Sequence, residues 1–219
     1  MLVGLLAFVA GTADGASQPK RIAFRVTLAA TVTKDWNAVT ETTENGCPTS
    51  RRSVGRRTLT LRSRRPTTVL VTFRNGRTSY APMAVRFVAG ELVQTGNRTT
   101  SIKAPCSPST KQSRCARRRR AMTGARFRFF RSARNEISFR RARLPELPKG
   151  CPPESSEVRE IQSGLEQAQG ELSEAALANS GTPNQTAFGS AEVTTDLEDQ
   201  ETGSVVERVS WELTFARKR

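Results

Sequence analysis

Apolar and polar residues alternate with a period of two in seven segments of this chain. The clearest is residues 21–33, RIAFRVTLAATVT, in which Ile22 and Phe24 share one side and Arg25 and Thr27 share the other. Successive side chains of a β-strand point to opposite faces of its sheet, so this alternation predicts a strand that is buried on one face. The other six segments are residues 57–63, 67–73, 83–93, 125–130, 136–140 and 209–215.

Together the segments predict a mainly β fold, either an antiparallel sandwich or a partly open barrel, with one amphipathic helix near the C-terminus. Turn-forming residues separate several of them, at positions 44–46, 74–77 and 95–97. In the segment 83–93 the alternation places Phe87 on the same buried side as Val85. No repeat of fixed period is present, which argues against solenoids and propellers.

Residues 153–179 depart from the alternation. Pro153 stands at the start, and Asn179 is followed by Ser and Gly, which are typical helix boundaries. The apolar residues are spaced by three and four, which is the spacing of one helix face: Val158, Ile161, Leu165, Ala168, Leu172 and Ala175. We therefore expect a helix over 153–179 that packs on the sheet, with a coiled-coil dimer as the alternative.

The N-terminus resembles a signal peptide. An apolar run from Leu2 to Ala10 is followed by small residues up to Gly15, and a run of this length is too short to span a membrane. The sequence predicts a signal peptide over residues 1–15 and a single β-rich domain over 20–219. The alternative is that this run is a buried first strand or helix. We expect no transmembrane segment in the mature chain.

Four cysteines are present, Cys47, Cys106, Cys115 and Cys151. An even number in an exported chain favours disulfides. The spacing suggests a short loop closed by Cys106 and Cys115 and a long one closed by Cys47 and Cys151. A zinc site is the alternative, but the chain has no histidine and no CxxC pair. We expect neither a metal nor a cofactor.

The charge of the chain is strongly positive and unevenly distributed. Lys and Arg number 35 against 20 Asp and Glu, a net charge of +15. Residues 1–150 carry 30 basic and 7 acidic residues (+23), and residues 151–219 carry 5 and 13 (−8). Such a basic body predicts an anionic partner. The excess of Arg over Lys would also follow from a GC-rich genome.

The basic residues form clusters that are candidates for binding an anion. The candidate residues are Arg51, Arg52, Arg56, Arg57, Arg117, Arg118, Arg119, Arg120, Arg140 and Arg141. A surface loop closed by Cys106 and Cys115 would expose the run 117–120. In the alternative, the predicted helix and the acidic stretch 192–201 cover these arginines and neutralise them.

Several function classes have little support. The absence of histidine removes the commonest general base, and no nucleophile elbow, Walker loop or dinucleotide fingerprint is present. In the segment 125–130 Phe and Arg alternate, so they point to opposite faces and cannot form a stacking platform for bases.

The sequence thus predicts an exported, disulfide-stapled protein of the cell envelope or medium with a non-catalytic binding or structural role. Its expected partner is an anionic envelope polymer, and nucleic acid is the less favoured partner. The alternatives are a cytosolic basic protein that binds nucleic acid and an extracellular hydrolase without histidine.

Overall fold

A computed structural model describes residues 19–74, 77–80, 83–131, 136–140, 167–179, 183–198 and 201–218. In these residues ten strands form one antiparallel sheet that is not closed, so the predicted mainly β, antiparallel fold is confirmed. The strands are β1 Lys20–Glu44, β2 Cys47–Ser63, β3 Thr67–Arg74, β4 Arg77–Tyr80, β5 Met83–Ile102, β6 Ser109–Arg131, β7 Glu136–Arg140, β8 Gln169–Glu171, β9 Asn184–Leu197 and β10 Glu201–Arg217. A short helix, α1, spans Glu174–Ala178.

The order of the strands in the sheet is β10-β9-β8-β7-β6-β5-β2-β1-β3-β4, and β10 additionally pairs with β1. The long ladders join β10 to β1, β1 to β2, β2 to β5 and β5 to β6. The ladders from β6 through β7 and β8 to β9 contain four, three and two residue pairs. The sheet is therefore strongly curved, with one side of continuous long strands and one side of short connections.

The hairpin between β1 and β2 follows from its turn residues. Asn45 and Gly46 both have positive φ angles, 51° and 79°, and Glu44 pairs with Cys47. Two left-handed residues give the twist that a two-residue hairpin needs, so the predicted turn at 44–46 is confirmed. The predicted turn at 95–97 is wrong, because these residues lie within β5 and pair with β2.

The inner face of the sheet buries the predicted apolar residues. Phe24 meets Phe215 edge to face with ring centroids 6.1 Å apart, and Phe129 meets Trp211 at 5.4 Å. Trp211 donates its indole N–H to the Ala168 carbonyl oxygen at 3.0 Å. The alternation in β1 continues beyond residue 33, and Trp36 is buried on the same face as Phe24.

Phe87 does not lie where the alternation places it. Val85 and Val88 are both buried, and the pairing of β5 with β6 shifts register between them. This β-bulge adds one residue, so that two residues, Arg86 and Phe87, stand between the inward Val85 and Val88. Phe87 adopts a φ of 59°. The ring therefore lies on the outer side, within 3.5 Å of the Arg65 guanidinium carbon. The prediction of an inward Phe87 is wrong.

The predicted helix over 153–179 is wrong in its C-terminal part. Gln169–Glu171 form β8, and the helix α1 that follows it spans only Glu174–Ala178. The Ser173 hydroxyl caps α1 by accepting from the Ala176 N–H at 3.2 Å. Ala168, Gly170 and Leu172 are buried at every second position, which is the period of a strand. Strand pairing with β7 and β9 thus overrides the helical spacing. Residues 153–166 lie outside the described residues.

The expected disulfide pairing is also wrong. Cys47 bonds to Cys106, with Cα atoms 5.7 Å apart. Cys115 lies inside β6, which begins at Ser109. Because a strand rises about 3.3 Å per residue, six residues of strand carry Cys115 beyond disulfide reach of the loop that holds Cys106. Cys115 is buried and is itself disulfide-bonded.

The arginine run 117–120 consequently lies on a strand and not in a stapled surface loop. The predicted signal peptide, residues 1–15, lies outside the described residues, as do Cys151 and Arg141. Among the described helical residues, no helix is long and apolar enough to cross a membrane.

Candidate anion-binding surface

Strand alternation divides the predicted arginine cluster on β2 between two faces. Arg52 and Arg56 are exposed on the outer face, whereas Arg57 is buried and Arg51 is half-buried on the inner face. Neighbouring residues of a strand cannot share a face, so the four arginines cannot form one patch. Arg62, six residues beyond Arg56, is again exposed on the outer face.

The run of four arginines on β6 divides in the same way. Arg118 and Arg120 lie opposite Gln94 and Leu92, which are buried on the inner face. Arg119 lies opposite Val93, on the outer side. All four arginines are exposed, in a part of β6 that does not pair with β7.

Arg117 and Arg114 extend the outer side of β6. Both line a groove over β1, β2 and β5 together with Arg56 and Asp35. A register shift between Gln94 and Gly96 marks the irregularity in the pairing of β5 with β6 near Arg117. A bulge of this kind re-aims the side chains of the bulged strand.

Six arginines therefore share the outer face of three adjacent strands, and we refer to them as the outer arginine surface. They are Arg52, Arg56 and Arg62 on β2, and Arg114, Arg117 and Arg119 on β6, with β5 between. Arg119 has a carboxylate partner, Glu91, at 3.7 Å. Arg56 binds Asp35 through two hydrogen bonds, and hydrogen bonding to this carboxylate raises the pKa of Arg56.

Asp35 is shared between Arg56 and a second arginine. It also accepts from Arg208 at 3.0 Å, and Arg208 in turn donates to Glu192 at 2.9 Å. This chain of charges crosses the outer face from β9 to β2. Glu192, which belongs to the acidic stretch 192–201, therefore forms its ion pair with Arg208 of β10.

Glu201, at the other end of that stretch, lies on the inner face and not on the outer arginine surface. Glu201 is buried and accepts from the Thr40 hydroxyl at 3.2 Å. The strand β9 is separated from β6 by β7 and β8 in the sheet order. The hypothesis that residues 192–201 neutralise the basic clusters is wrong for Glu192, whose ion pair is with Arg208.

Sequence reasoning missed a row of polar residues on the inner face. Glu207, Lys34, Arg57 and Gln94 lie directly opposite one another on β10, β1, β2 and β5. All four are buried, and Lys34 Nζ lies 3.9 Å from Glu207 Oε1. The signal that could have found this row is the alternation of β1, which places Lys34 in phase with Val32 and Trp36.

Two arginines near the β1–β2 hairpin also face inward. Desolvation by burial lowers the pKa of Arg98, and the charge of Arg51 lowers it further, while Glu201 opposes the shift. Neither Arg98 nor Arg51 belongs to the outer arginine surface.

The candidate Arg140 is the last residue of β7, and its backbone pairs with that of Arg128 on β6.

The fold and this surface define an antiparallel β-sheet protein with an arginine-rich outer face. Comparison with protein-family models, with curated proteins and with solved structures gave no match.

Proposed function

We propose that this protein is an exported, disulfide-stapled β protein of the cell envelope or medium that binds an anionic polymer without catalysis. The observation that carries the proposal is the outer arginine surface, in which six guanidinium groups share one face with only Glu91 and Asp35 as ion-pair partners in the described structure. We also propose that the sheet is a partly open barrel, which the additional β10–β1 pairing supports.

The shape of the surface suits an extended ligand. Adjacent strands lie about 4.8 Å apart and residues rise about 3.3 Å along a strand. From Arg52 to Arg62 the surface is therefore roughly 33 Å long, and from β2 to β6 it is roughly 10 Å wide. A long, narrow array of guanidinium groups can contact successive anionic groups of a chain, because each planar fork binds a phosphate or carboxylate.

The residues between the arginines favour charge recognition over base recognition. The outward residues of β2 and β5 in this region include Thr58, Thr60, Val93, Thr95 and Asn97, and none of them is aromatic. A base-stacking surface needs exposed aromatic rings beside its basic groups. We therefore favour an envelope polymer over nucleic acid as the partner.

The arginine run supplies a matched pair of variants. Arg117→Ser with Arg119→Ser removes two outer guanidinium groups, and Arg118→Ser with Arg120→Ser removes the same charge from the inner side. On immobilised linear polyphosphate, the outer pair should reduce the slope of log affinity against log salt by about 2, near one unit per lost contact. We expect the inner pair to change that slope by less than half as much.

Circular dichroism of both variants controls for folding. Equal losses in the two variants would mean that net charge alone attracts the polymer, which contradicts a binding face. Affinity that does not change with salt would exclude binding through the arginines. If the protein binds a duplex DNA of matched length markedly more tightly than polyphosphate, the result would favour the nucleic-acid alternative.

Export has its own test. We would measure the intact mass of the protein from the medium and the cells of its own host, without reduction. The mass should correspond to a chain that lacks the residues up to about Gly15. It should also lack one hydrogen per cysteine. A full-length, reduced chain found inside the cell would contradict export and leave the polymer-binding test unaffected.

A further inference from the structure

A second basic site lies on the outer face just beyond Arg62, at the end of β2 that is far from the β1–β2 hairpin. The connection from β2 to β3, the start of β5 and the end of β6 meet there around a groove. Arg65, Arg86 and Arg126 line this groove together with Phe87 and Leu70. These residues do not belong to the outer arginine surface, so the site stands or falls independently of polymer binding.

The β-bulge in β5 is what brings an aromatic ring to this groove. Phe87 would point into the core in a regular strand, but its φ of 59° turns it outward. A positive φ is costly for a bulky residue, and such strain persists only where the surroundings hold it. The Thr67 hydroxyl holds the bulge by accepting from the Arg86 N–H at 2.8 Å and donating to the Arg86 carbonyl oxygen at 3.3 Å.

The outward ring orients a guanidinium group. The Arg65 guanidinium carbon lies 3.5 Å from the centroid of the Phe87 ring. Stacking on a ring face leaves the N–H edge of the planar guanidinium group available and reduces its freedom before a ligand arrives. Leu70, which is 52 % exposed, supplies an apolar wall to the groove.

The charge of the groove is not compensated by the described residues. Arg86 and Arg126 are exposed, and no described carboxylate forms an ion pair with either of them or with Arg65. Three guanidinium groups around one depression thus favour an anion. The strand alternation of residues 125–130 excludes a shared aromatic and basic face there, but the bulge creates one around Phe87.

We propose that this groove binds a phosphate group, either free phosphate or a terminal phosphate monoester. A carboxylate or a phosphodiester offers two charged oxygens, which one guanidinium fork can satisfy. A terminal phosphate offers three, so it can accept from three forks at once. The stacked Arg65 provides the preorganised contact, and Arg86 and Arg126 provide the flanking ones.

Titration of the full-length protein with inorganic phosphate, followed by the NMR signals of the arginine Nε–H groups, tests the site. We expect the signals of Arg65, Arg86 and Arg126 to shift together with one dissociation constant. Phe87→Leu keeps an apolar side chain but removes the ring face, and should weaken binding about fivefold, as expected for an exposed cation–π contact. Arg65→Lys keeps the charge and should weaken binding at least as much.

Arg21→Lys is the matched control, because Arg21 is an exposed strand residue outside the groove. Its phosphate affinity should equal that of the unmodified protein. Equal losses in Arg65→Lys and Arg21→Lys would overturn the site. Arg126→Gln, a change at an exposed position, provides a second test if Phe87→Leu disturbs the fold, and an unchanged affinity in this variant would likewise overturn it.

Two phosphate esters complete the test. Methyl phosphate, a terminal monoester, keeps three unesterified oxygens and should bind as tightly as inorganic phosphate if the site takes a terminal phosphate group, or more weakly if it takes free phosphate. Dimethyl phosphate tests whether three oxygens are needed. It has only two charged oxygens, as a phosphodiester in a polymer backbone has, and should bind more weakly than inorganic phosphate. Equal or tighter binding of dimethyl phosphate would contradict the recognition of three oxygens by three forks.

Discussion

Glu207→Leu is expected to lower the free energy of unfolding by about 3–5 kcal/mol, because it leaves the buried Lys34 without its carboxylate partner. Lys34 is 2 % exposed and Glu207 is 4 % exposed, so water cannot solvate the remaining ammonium group. For a domain of this size the loss corresponds to a melting temperature lower by about 10 °C. Urea unfolding followed by tryptophan fluorescence measures the effect.

The double variant Lys34→Met with Glu207→Leu separates the cost of a lone charge from the value of the pair. Replacing both members of a buried ion pair by apolar residues is often neutral or stabilising. We expect the double variant to unfold within about 1 kcal/mol of the unmodified protein. A loss of less than 1 kcal/mol for Glu207→Leu alone would show that the row is hydrated, contrary to its burial.

Gly189→Ala is expected to be the second strongly destabilising change. A Cβ atom at this position would lie 2.2 Å from Trp211 Cε2 and 2.3 Å from Cζ2. The indole ring cannot shift away freely, because it packs against Phe129 and donates a hydrogen bond to the Ala168 carbonyl oxygen. Overpacking of this kind costs about 3 kcal/mol, the upper part of the usual range.

A double-mutant cycle assigns that cost to the ring. Trp211→Ala alone should cost about 3–5 kcal/mol as a large core truncation. In the Trp211→Ala background, Gly189→Ala should cost less than about 1 kcal/mol, because the clash has been removed. Ser190→Ala, at the exposed neighbouring position, is the control and should have little effect on stability.

If Gly189→Ala costs the same in both backgrounds, the contact with Trp211 is not its cause. The prediction matters for the fold, because β9 pairs with β8 through Gly189 and Gly170. Gly170 is equally constrained: its Cβ would lie 2.2 Å from the Phe188 carbonyl oxygen. The close approach of these two strands over one indole ring is what links the short-strand side of the sheet.

The strands with regular alternation could be predicted from local sequence. The segment 21–33 forms the N-terminal half of β1, and the apolar residues at its even-numbered positions are buried, because the period of two is a property of the extended backbone itself. The Asn45-Gly46 turn was predictable for a similar reason, since its backbone requirement is met by two adjacent residues. Such features need no information about distant strands.

The candidate site was predictable only in part. The sequence identified the arginines but grouped Arg51 with Arg52 and Arg118 with Arg119, although the strands place them on opposite faces. The bulge that turns Phe87 outward depends on how β5 pairs with β6, and no local pattern marks it. The disulfide of Cys47 depends on where β5 ends beside the hairpin, which sequence separation does not reveal.

The region 167–179 shows the same division in one segment. Ala168, Leu172 and Ala175 fit a helix face, while Ala168, Gly170 and Leu172 fit a strand face, and the sequence alone does not decide between the two periods. Pairing with β7 and β9 decides for a strand at Gln169–Glu171. The sequence by itself determined that the chain is mainly β and that its charge is concentrated in the arginine-rich body. Only the tertiary structure decided which arginines share a face, because facing depends on pairing and bulges between strands that are distant in the chain.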